Sequence, residues 1–186
     1  MEALKNISYT TEYIYSLPDG QRAELIDGVI YNMSPPNIRH QYLNTKLASK
    51  IDQYIDTKKG NCMVFSAPFA VFLNADNKTY VEPDISVICD KNKLENGRGC
   101  KGAPDWIIEI VSPSSKRMDY MVKLLKYCTS GVREYWIVDP MKNRIMVHNF
   151  ENETMEEYSF ADKIKAGIYE DLEIDFSEIN NNEIVS

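Results

Sequence analysis

The chain has 186 residues, of which 44 % are hydrophobic and 26 % are charged. This length and composition are typical of one globular domain with its own core, and they exclude a largely disordered chain. No apolar run approaches the roughly 20 residues that a membrane-spanning helix needs. The N-terminus lacks the basic and apolar regions of a signal peptide. We therefore expect a single cytoplasmic domain over residues 1–186, with no membrane partner.

The net charge of −7 is unevenly distributed along the chain. Residues 91–133 contain nine Lys or Arg and four Asp or Glu, whereas residues 150–186 contain two and eleven. The acidic excess is therefore mainly a property of the C-terminal region, and the basic middle segment is suited to a phosphate backbone. The alternative is that these basic residues only solvate a loop and a helix.

Hydrophobic periodicity and turn residues predict the elements of the first half of the chain. Asp27-Gly28 between two apolar stretches indicates a two-residue hairpin turn. Apolar residues that recur every four positions predict a long amphipathic helix, and these are Leu43, Leu47, Ile51 and Ile55. The predicted elements are a short helix over 10–17, strands over 22–26 and 29–33, a helix over 37–57, and strands over 62–73 and 80–89.

The second half of the chain centres on residues 105–112, a segment whose interior is continuously apolar apart from Glu109. A strand that is apolar on both faces belongs in the middle of a sheet covered on both sides. A helix is predicted over 115–130, and its expected core face is Met121, Leu124, Leu125 and Cys128. Further strands are predicted at 134–138, 144–150 and 155–160. The mixed order predicts an α/β fold with a mixed central β-sheet flanked by α-helices.

The cysteines do not have the spacing of a structural zinc site. No CxxC pair is present, and the chain has only two histidines. We expect reduced thiols, with Cys62, Cys89 and Cys128 in apolar segments of the core and Cys100 exposed in a Gly-rich loop.

Two carboxylates stand in apolar strands. Glu109 lies in the middle of DWIIEIVS, and Asp84 immediately precedes the apolar run that follows EPD. A buried carboxylate needs a cation, a hydrogen-bond donor or a shifted pKa. On neighbouring strands, Asp84 and Glu109 are expected to share Mg²⁺ or Mn²⁺, because such cations bind one or two carboxylates and keep several waters. The alternative is that each acid pairs with an arginine such as Arg22 or Arg133.

Other polar side chains are candidates for the same site. Asp119, Lys123 and Tyr127 form one polar line on the helix that directly follows the Glu109 strand. If this line packs on the sheet, Lys123 stabilises negative charge at the scissile phosphate; otherwise the Asp–Lys pair is a surface contact. Glu24 is either at the edge of the site or solvated on an edge strand. His40 either contacts a phosphate or is a polar residue of a first helical turn.

The order and spacing of these motifs closely resemble the Uma2 family, whose members are described as restriction-endonuclease-like proteins. The motifs are ELIDG at 24–28, RHQ at 39–41, EPD at 82–84, APDWIIEIVSPSS at 103–115 and GVREYWIVDP at 131–140. The resemblance extends over nearly the whole chain and implies the PD-(D/E)xK nuclease fold, a restriction-endonuclease-like mixed sheet flanked by helices.

The resemblance also implies roles for individual residues. Asp84 matches the Asp of the PD element, and Glu109 matches the acidic residue of the second element, so these two are the implied metal ligands. Val111 stands where the general motif has Lys. The resemblance therefore implies that Lys123 takes the catalytic role of that Lys, with Asp119 and Tyr127 supporting it. Glu24 matches a further acidic position, and His40 is a supporting residue at the rim.

The two strand carboxylates predict a metal site, and the resemblance to the Uma2 family implies an endonuclease that uses Mg²⁺ or Mn²⁺ to hydrolyse phosphodiester bonds in DNA. The basic loop 91–101 and Lys116-Arg117 are expected to hold the nucleic-acid backbone. The alternative is a binding or regulatory protein that retains the fold without efficient cleavage, which the acidic charge and the missing strand Lys favour. A homodimer is expected by analogy with nucleases that cut both strands.

Overall fold

A six-stranded mixed sheet forms the centre of the molecule. The computed structural model describes residues 8–74, 76–94 and 97–180. Its strands are β1 (Ala23–Ile26), β2 (Val29–Asn32), β3 (Met63–Ser66), β4 (Val71–Phe72), β5 (Ile85–Ile88), β6 (Cys100–Lys101), β7 (Trp106–Ile110), β8 (Glu134–Asp139), β9 (Arg144–Asn149), β10 (Thr154–Ser159), β11 (Lys163–Lys165) and β12 (Glu173–Asp175). Its α-helices are α1 (Thr11–Tyr15), α2 (Ile38–Thr57), α3 (Leu124–Ser130) and α4 (Phe176–Asn180). A 3₁₀ turn covers Lys91–Leu94, and a π-helical stretch over Met118–Lys123 continues directly into α3.

The central sheet has the order β10-β9-β8-β7-β5-β3. Strands β7 and β8 are parallel, and the other neighbouring pairs are antiparallel. The prediction of a mixed central sheet flanked by helices is therefore confirmed. Every residue of β7 is buried, as expected for an apolar strand between two neighbours. The smaller pairs are β1–β2, β4–β6 and β11–β12.

The side chains of β7 alternate between two hydrophobic clusters. Trp106, Ile108 and Ile110 pack on the side of the sheet that α2 covers with its predicted apolar stripe. Ile107 packs in the second cluster, which also contains Tyr127 from α3. Because successive strand residues point to opposite faces, Glu109 projects toward the side covered by the π-helical stretch and α3.

The predicted core face of the helix after β7 is wrong. Met121 is 63 % exposed, Leu125 is 67 % exposed, and Cys128 is also exposed, while Leu124 is only partly buried. The buried residues are the members of the polar line, namely Asp119, Lys123 and Tyr127. The physical reason is that this side of the sheet presents carboxylates, which hydrogen-bond or pair with an ammonium and a phenol but not with apolar side chains.

The predicted strand over 62–73 is two shorter strands, β3 and β4. The run ends at Ser66 because the next residues include Pro68, which has no N–H to donate to a ladder. The strand predicted over 80–89 is likewise shorter, since only Ile85–Ile88 joins the central sheet. None of the helices in the described ranges has both the length and the apolar character needed to cross a membrane.

The expectations for the cysteines are wrong in three respects. Cys62 and Cys89 form a disulfide, because the register of β3 against β5 sets them opposite each other. No local spacing in the sequence indicates such a cross-strand pair. Cys100 is fully buried rather than exposed, and Cys128 is exposed rather than part of the core.

Candidate active site

A cleft of about 130 Å³ opens beside Asp84, at the start of β5, and beside the end of β7. Its walls are completed by the β1–β2 hairpin, the first turns of α2, and the turn over 112–115. The volume admits several water molecules. Six of the candidate residues line this cleft, namely Glu24, His40, Asp84, Glu109, Asp119 and Lys123. Tyr127 does not line the cleft and lies fully buried behind Glu109.

Asp84 and Glu109 lie next to each other at the base of the cleft. The antiparallel register that pairs Ile85 with Ile108 sets Asp84 beside Glu109. The backbone N–H of Asp84 donates to Oε2 of Glu109 over 3.4 Å. The structure thus brings together the two acids that the sequence places in apolar strands, and it does so through ordinary strand pairing.

The Asp84 side chain is oriented by two donors. Its Oδ2 accepts a hydrogen bond from the backbone N–H of Ile110 at 2.7 Å and lies 3.0 Å from Nε2 of His40. The Asn37 side chain caps α2 and accepts the backbone N–H of His40, which places this histidine in the first turn. Burial lowers the pKa of His40, but the adjacent Asp84 carboxylate outweighs burial, so the pKa lies above its usual value.

Besides the backbone N–H of Asp84, two donors from the helical segment opposite hold the Glu109 side chain. Its Oε1 accepts hydrogen bonds from Nζ of Lys123 at 2.9 Å and from the hydroxyl of Tyr127 at 2.7 Å. Glu109 is only 3 % exposed. Burial therefore raises the pKa of Glu109 well above its usual value, and the Lys123 ammonium opposes this effect.

Lys123 is the buried cation of the cleft. Its Nζ lies 2.9 Å from Oε2 of Glu24 and 3.8 Å from Oδ1 of Asp119, in addition to its contact with Glu109. Burial alone lowers the pKa of Lys123, but these three carboxylates outweigh it and hold the pKa well above its usual value. Lys123 is therefore a permanent positive charge at neutral pH. Glu24 is 4 % exposed, so it belongs to the site and is not a solvated edge-strand acid.

Asp119 supports this arrangement from within the π-helical stretch. Its Oδ2 accepts a hydrogen bond from the Ser115 hydroxyl at 2.6 Å, and its backbone carbonyl accepts one from Tyr135 at 3.0 Å. Burial raises the pKa of Asp119 to about 6. A π-helical stretch is uncommon and often occurs at functional sites. Here it carries both Asp119 and Lys123.

The cleft offers a pair of carboxylates to a divalent cation. Across the described residues, no group of three or more His, Cys, Asp or Glu side chains is placed to hold a metal ion. The carboxylate pair of Asp84 and Glu109 nevertheless fits Mg²⁺, which binds one or two carboxylates and completes its shell with water. Oδ1 of Asp84 accepts no hydrogen bond from the described residues, and Oε2 of Glu109 accepts only the long one from the backbone N–H of Asp84, so each carboxylate retains an oxygen for a cation.

The alternative in which arginines neutralise the two strand acids is wrong. Both arginines are bound to other carboxylates, Arg22 to Glu82, and Arg133 to Asp105 and Glu151. The cation beside Glu109 is Lys123 instead. Val111, which occupies the place of the motif Lys, packs in the hydrophobic cluster beneath α3.

Of the two basic segments predicted to hold nucleic acid, one adjoins the cleft and the other does not. Lys116 and Arg117 are exposed and directly follow Ser115, which lines the cleft. No described residue of the loop 91–101 lines the cleft, and Lys93 donates to the backbone carbonyl of Ala103.

Sequence reasoning did not identify Arg22 and Glu82 as cleft residues, although both line the cleft. The signal for Arg22 was its position two residues before Glu24, because side chains at i and i+2 of a strand share one face. The signal for Glu82 was weaker, since EPD alone does not reveal which of its two acids faces the cleft.

Comparisons with known proteins agree with this architecture. The Uma2 family, with the description "Putative restriction endonuclease", matches residues 10–176. The crystal structure of a putative nuclease belonging to DUF820, from Anabaena variabilis, aligns with a TM-score of 0.73 and 20 % sequence identity. The alignment covers 91 % of this chain and 96 % of that one, and it shows a shared fold. The comparison with curated proteins gives no match.

Proposed function

We propose, since this chain belongs to the Uma2 family, that it is an endonuclease that hydrolyses phosphodiester bonds in DNA with Mg²⁺ or Mn²⁺. Asp84 and Glu109 are the proposed metal ligands. The observation that carries the proposal is the convergence of these two carboxylates and the Lys123 ammonium in one cleft. The family description and the nuclease-like fold of the Anabaena protein support it.

The metal ligands are held in place by the chain itself. His40 and the backbone N–H of Ile110 orient Asp84, and Tyr127 together with Lys123 orients Glu109. Such partners fix ligand orientation before the cation binds. A divalent cation at this position supplies Lewis-acid polarisation of the phosphate and a lowered pKa for a bound water.

Lys123 acts in this proposal as a fixed positive charge. Its Nζ contacts three carboxylates, Glu24, Glu109 and Asp119, so its proposed role is electrostatic. Its ammonium stabilises the negative charge that develops on the phosphate in the transition state. This electrostatic stabilisation is stronger in a buried site than in water. Glu24 and Asp119 hold the ammonium in place from the β1 strand and from the helical segment. The helix thereby takes over the role that the motif gives to a strand Lys.

Cleavage assays on supercoiled and linear DNA with Mg²⁺ or Mn²⁺ test the proposal. We expect EDTA, Asp84→Asn and Glu109→Gln each to abolish cleavage. The matched control is Asp90→Asn, which makes the same change at an exposed acid beyond the other end of β5. We expect this control to cleave like the wild type.

Two results would overturn the proposal. Cleavage that persists in both cleft variants points to a contaminant or to another site. A wild type that binds DNA but no Mn²⁺ by calorimetry, and that cuts nothing, supports the binding or regulatory alternative. Calorimetry on the two variants locates the ligands independently of activity, because each loses one carboxylate of the pair.

A further inference from the structure

The charges that line the cleft are unbalanced. Among the described residues, five carboxylates line it against two permanent cations. The carboxylates are Glu24, Glu82, Asp84, Glu109 and Asp119, and the cations are Arg22 and Lys123. An anionic substrate is repelled by such a surface unless cations reach it. Lys123 is 4 % exposed and is assigned above to the phosphate that is cleaved, so a neighbouring phosphate needs another cation. Arg22, whose side chain is 37 % exposed, is the accessible cation of this part of the chain.

The guanidinium of Arg22 is held in one orientation. Its Nε donates to Oε2 of Glu82 over 2.8 Å, and its Nη2 donates to the same oxygen. The other oxygen of Glu82 accepts the Tyr80 hydroxyl at 2.5 Å. The backbone N–H of Glu82 donates to Oε1 of Glu24 over 3.0 Å. Arg22 is therefore linked through Glu82 and Glu24 to the Lys123 ammonium.

The contacts with Glu82 leave most of the Arg22 donors available. A guanidinium has five N–H groups in a planar fork, and Glu82 engages two of its nitrogens through a single oxygen. Both N–H groups of Nη1 have no protein acceptor among the described residues. A planar pair of N–H donors matches two phosphate oxygens. Arg22 also lies two strand positions from Glu24, so both side chains point to the same side of β1 and its extension.

We propose that Arg22 binds a backbone phosphate of the nucleic acid, adjacent to the phosphate that is cleaved. This inference rests on the proposed nuclease function and adds a substrate-binding residue to it. Glu82 and Tyr80 act as positioning residues, because they hold the guanidinium without engaging Nη1. Glu82 is only 8 % exposed, so its pair with Arg22 also stabilises the fold. That contact uses Nε and Nη2, however, and leaves Nη1 for a ligand.

The test measures DNA binding separately from cleavage. A labelled duplex is titrated by fluorescence anisotropy in EDTA at several salt concentrations. We expect Arg22→Gln to raise Kd roughly tenfold to a hundredfold, because a charge-assisted hydrogen bond is lost. We also expect the slope of log K against log salt to fall by about 0.9, the value for one phosphate contact in duplex DNA.

Arg133→Gln is the matched control. Arg133 also pairs with carboxylates, and its side chain is 39 % exposed, but it does not line the cleft. We expect this variant to keep the wild-type Kd and salt slope. Arg22→Lys is expected to restore the salt slope while recovering only part of the affinity, because it retains the charge and loses the planar fork.

The possible outcomes separate failure of the Arg22 inference from failure of the proposed nuclease function. Wild-type binding that Arg22→Gln leaves unchanged in both Kd and salt slope overturns the inference alone. An equal loss in Arg22→Gln and Arg133→Gln also overturns it, since the effect then belongs to overall charge. Absence of DNA binding by the folded wild type overturns the inference, whereas the proposed nuclease function is decided separately by cleavage with Mg²⁺ or Mn²⁺. In cleavage assays, a rise in KM that exceeds any fall in kcat for Arg22→Gln supports a binding role.

Discussion

Nζ of Lys123 lies 2.9 Å from Oε1 of Glu109, and both side chains are almost fully buried. The lysine comes from a π-helical stretch and the glutamate from the central strand β7. A second carboxylate, Glu24, lies equally close to the same ammonium. A buried charge of this kind is tolerated only while its partners are present. Loss of this contact should therefore both destabilise the domain and alter the cleft.

Replacing the buried lysine should be costly both to folding and to activity. We expect Lys123→Met to abolish cleavage and to lower the free energy of unfolding by about 3–5 kcal/mol, because Glu109 and Glu24 lose their cation. Lys126→Met is the matched control, since its partner Asp27 has a 67 % exposed side chain. The control should lower the free energy of unfolding by no more than about 1 kcal/mol. Equal losses in urea unfolding would contradict the importance of the buried contacts that Lys123 makes with Glu109 and Glu24.

Removing the Tyr127 hydroxyl should weaken metal binding. The phenol donates to Glu109 at 2.7 Å and is fully buried. We expect Tyr127→Phe to reduce the affinity for Mn²⁺ by about tenfold to a hundredfold, as for other groups that orient metal ligands. Calorimetry measures this affinity directly. Tyr158→Phe serves as the control, because its hydroxyl donates to the exposed Glu156; a similar loss there would exclude a specific effect on Glu109.

His148 should make a contribution to the stability of the domain that is lost as the pH decreases below the usual pKa of histidine. Burial lowers the pKa of His148 below its usual value of 6.5. The unfolded chain then binds a proton at a pH where the folded chain does not, so acid favours unfolding. His148→Gln removes this titration. We expect the difference in free energy of unfolding between wild type and variant to change between pH 7 and pH 5, with the wild type losing more. Parallel pH profiles in denaturant unfolding would refute this.

A side chain at position 99 should disrupt the contact between β6 and β4. Gly99 has a φ of +143°, and a Cβ there would lie 2.3 Å from the backbone oxygen of Ala70. Gly97 also has a positive φ, of +65°, but a Cβ there meets no described residue within 4 Å. We expect Gly97→Ala to cost about 1 kcal/mol from backbone conformation alone. Gly99→Ala should lower the free energy of unfolding by about 1–3 kcal/mol more than Gly97→Ala, because the backbone of Ala70 must move. Thermal unfolding distinguishes them, and equal costs would show that the Ala70 contact is unimportant.

Several features of this protein followed from local patterns in its sequence. The apolar run of β7 indicated a central strand, and the stripe of α2 indicated a helix against the sheet. Glu109 and Asp84 were identifiable as candidates because a carboxylate in an apolar strand needs a partner whatever the rest of the fold. The family resemblance then joined these local signals into one expected architecture.

The partners of those carboxylates were decided only by the tertiary structure. Strand register set Asp84 beside Glu109 and Cys62 opposite Cys89. The orientation of the helical segment turned Lys123 inward and left Leu125 exposed, contrary to the apolar periodicity. The reason is that a buried charge is stabilised by groups that are distant in sequence, such as Glu24, and local hydrophobicity carries no information about them.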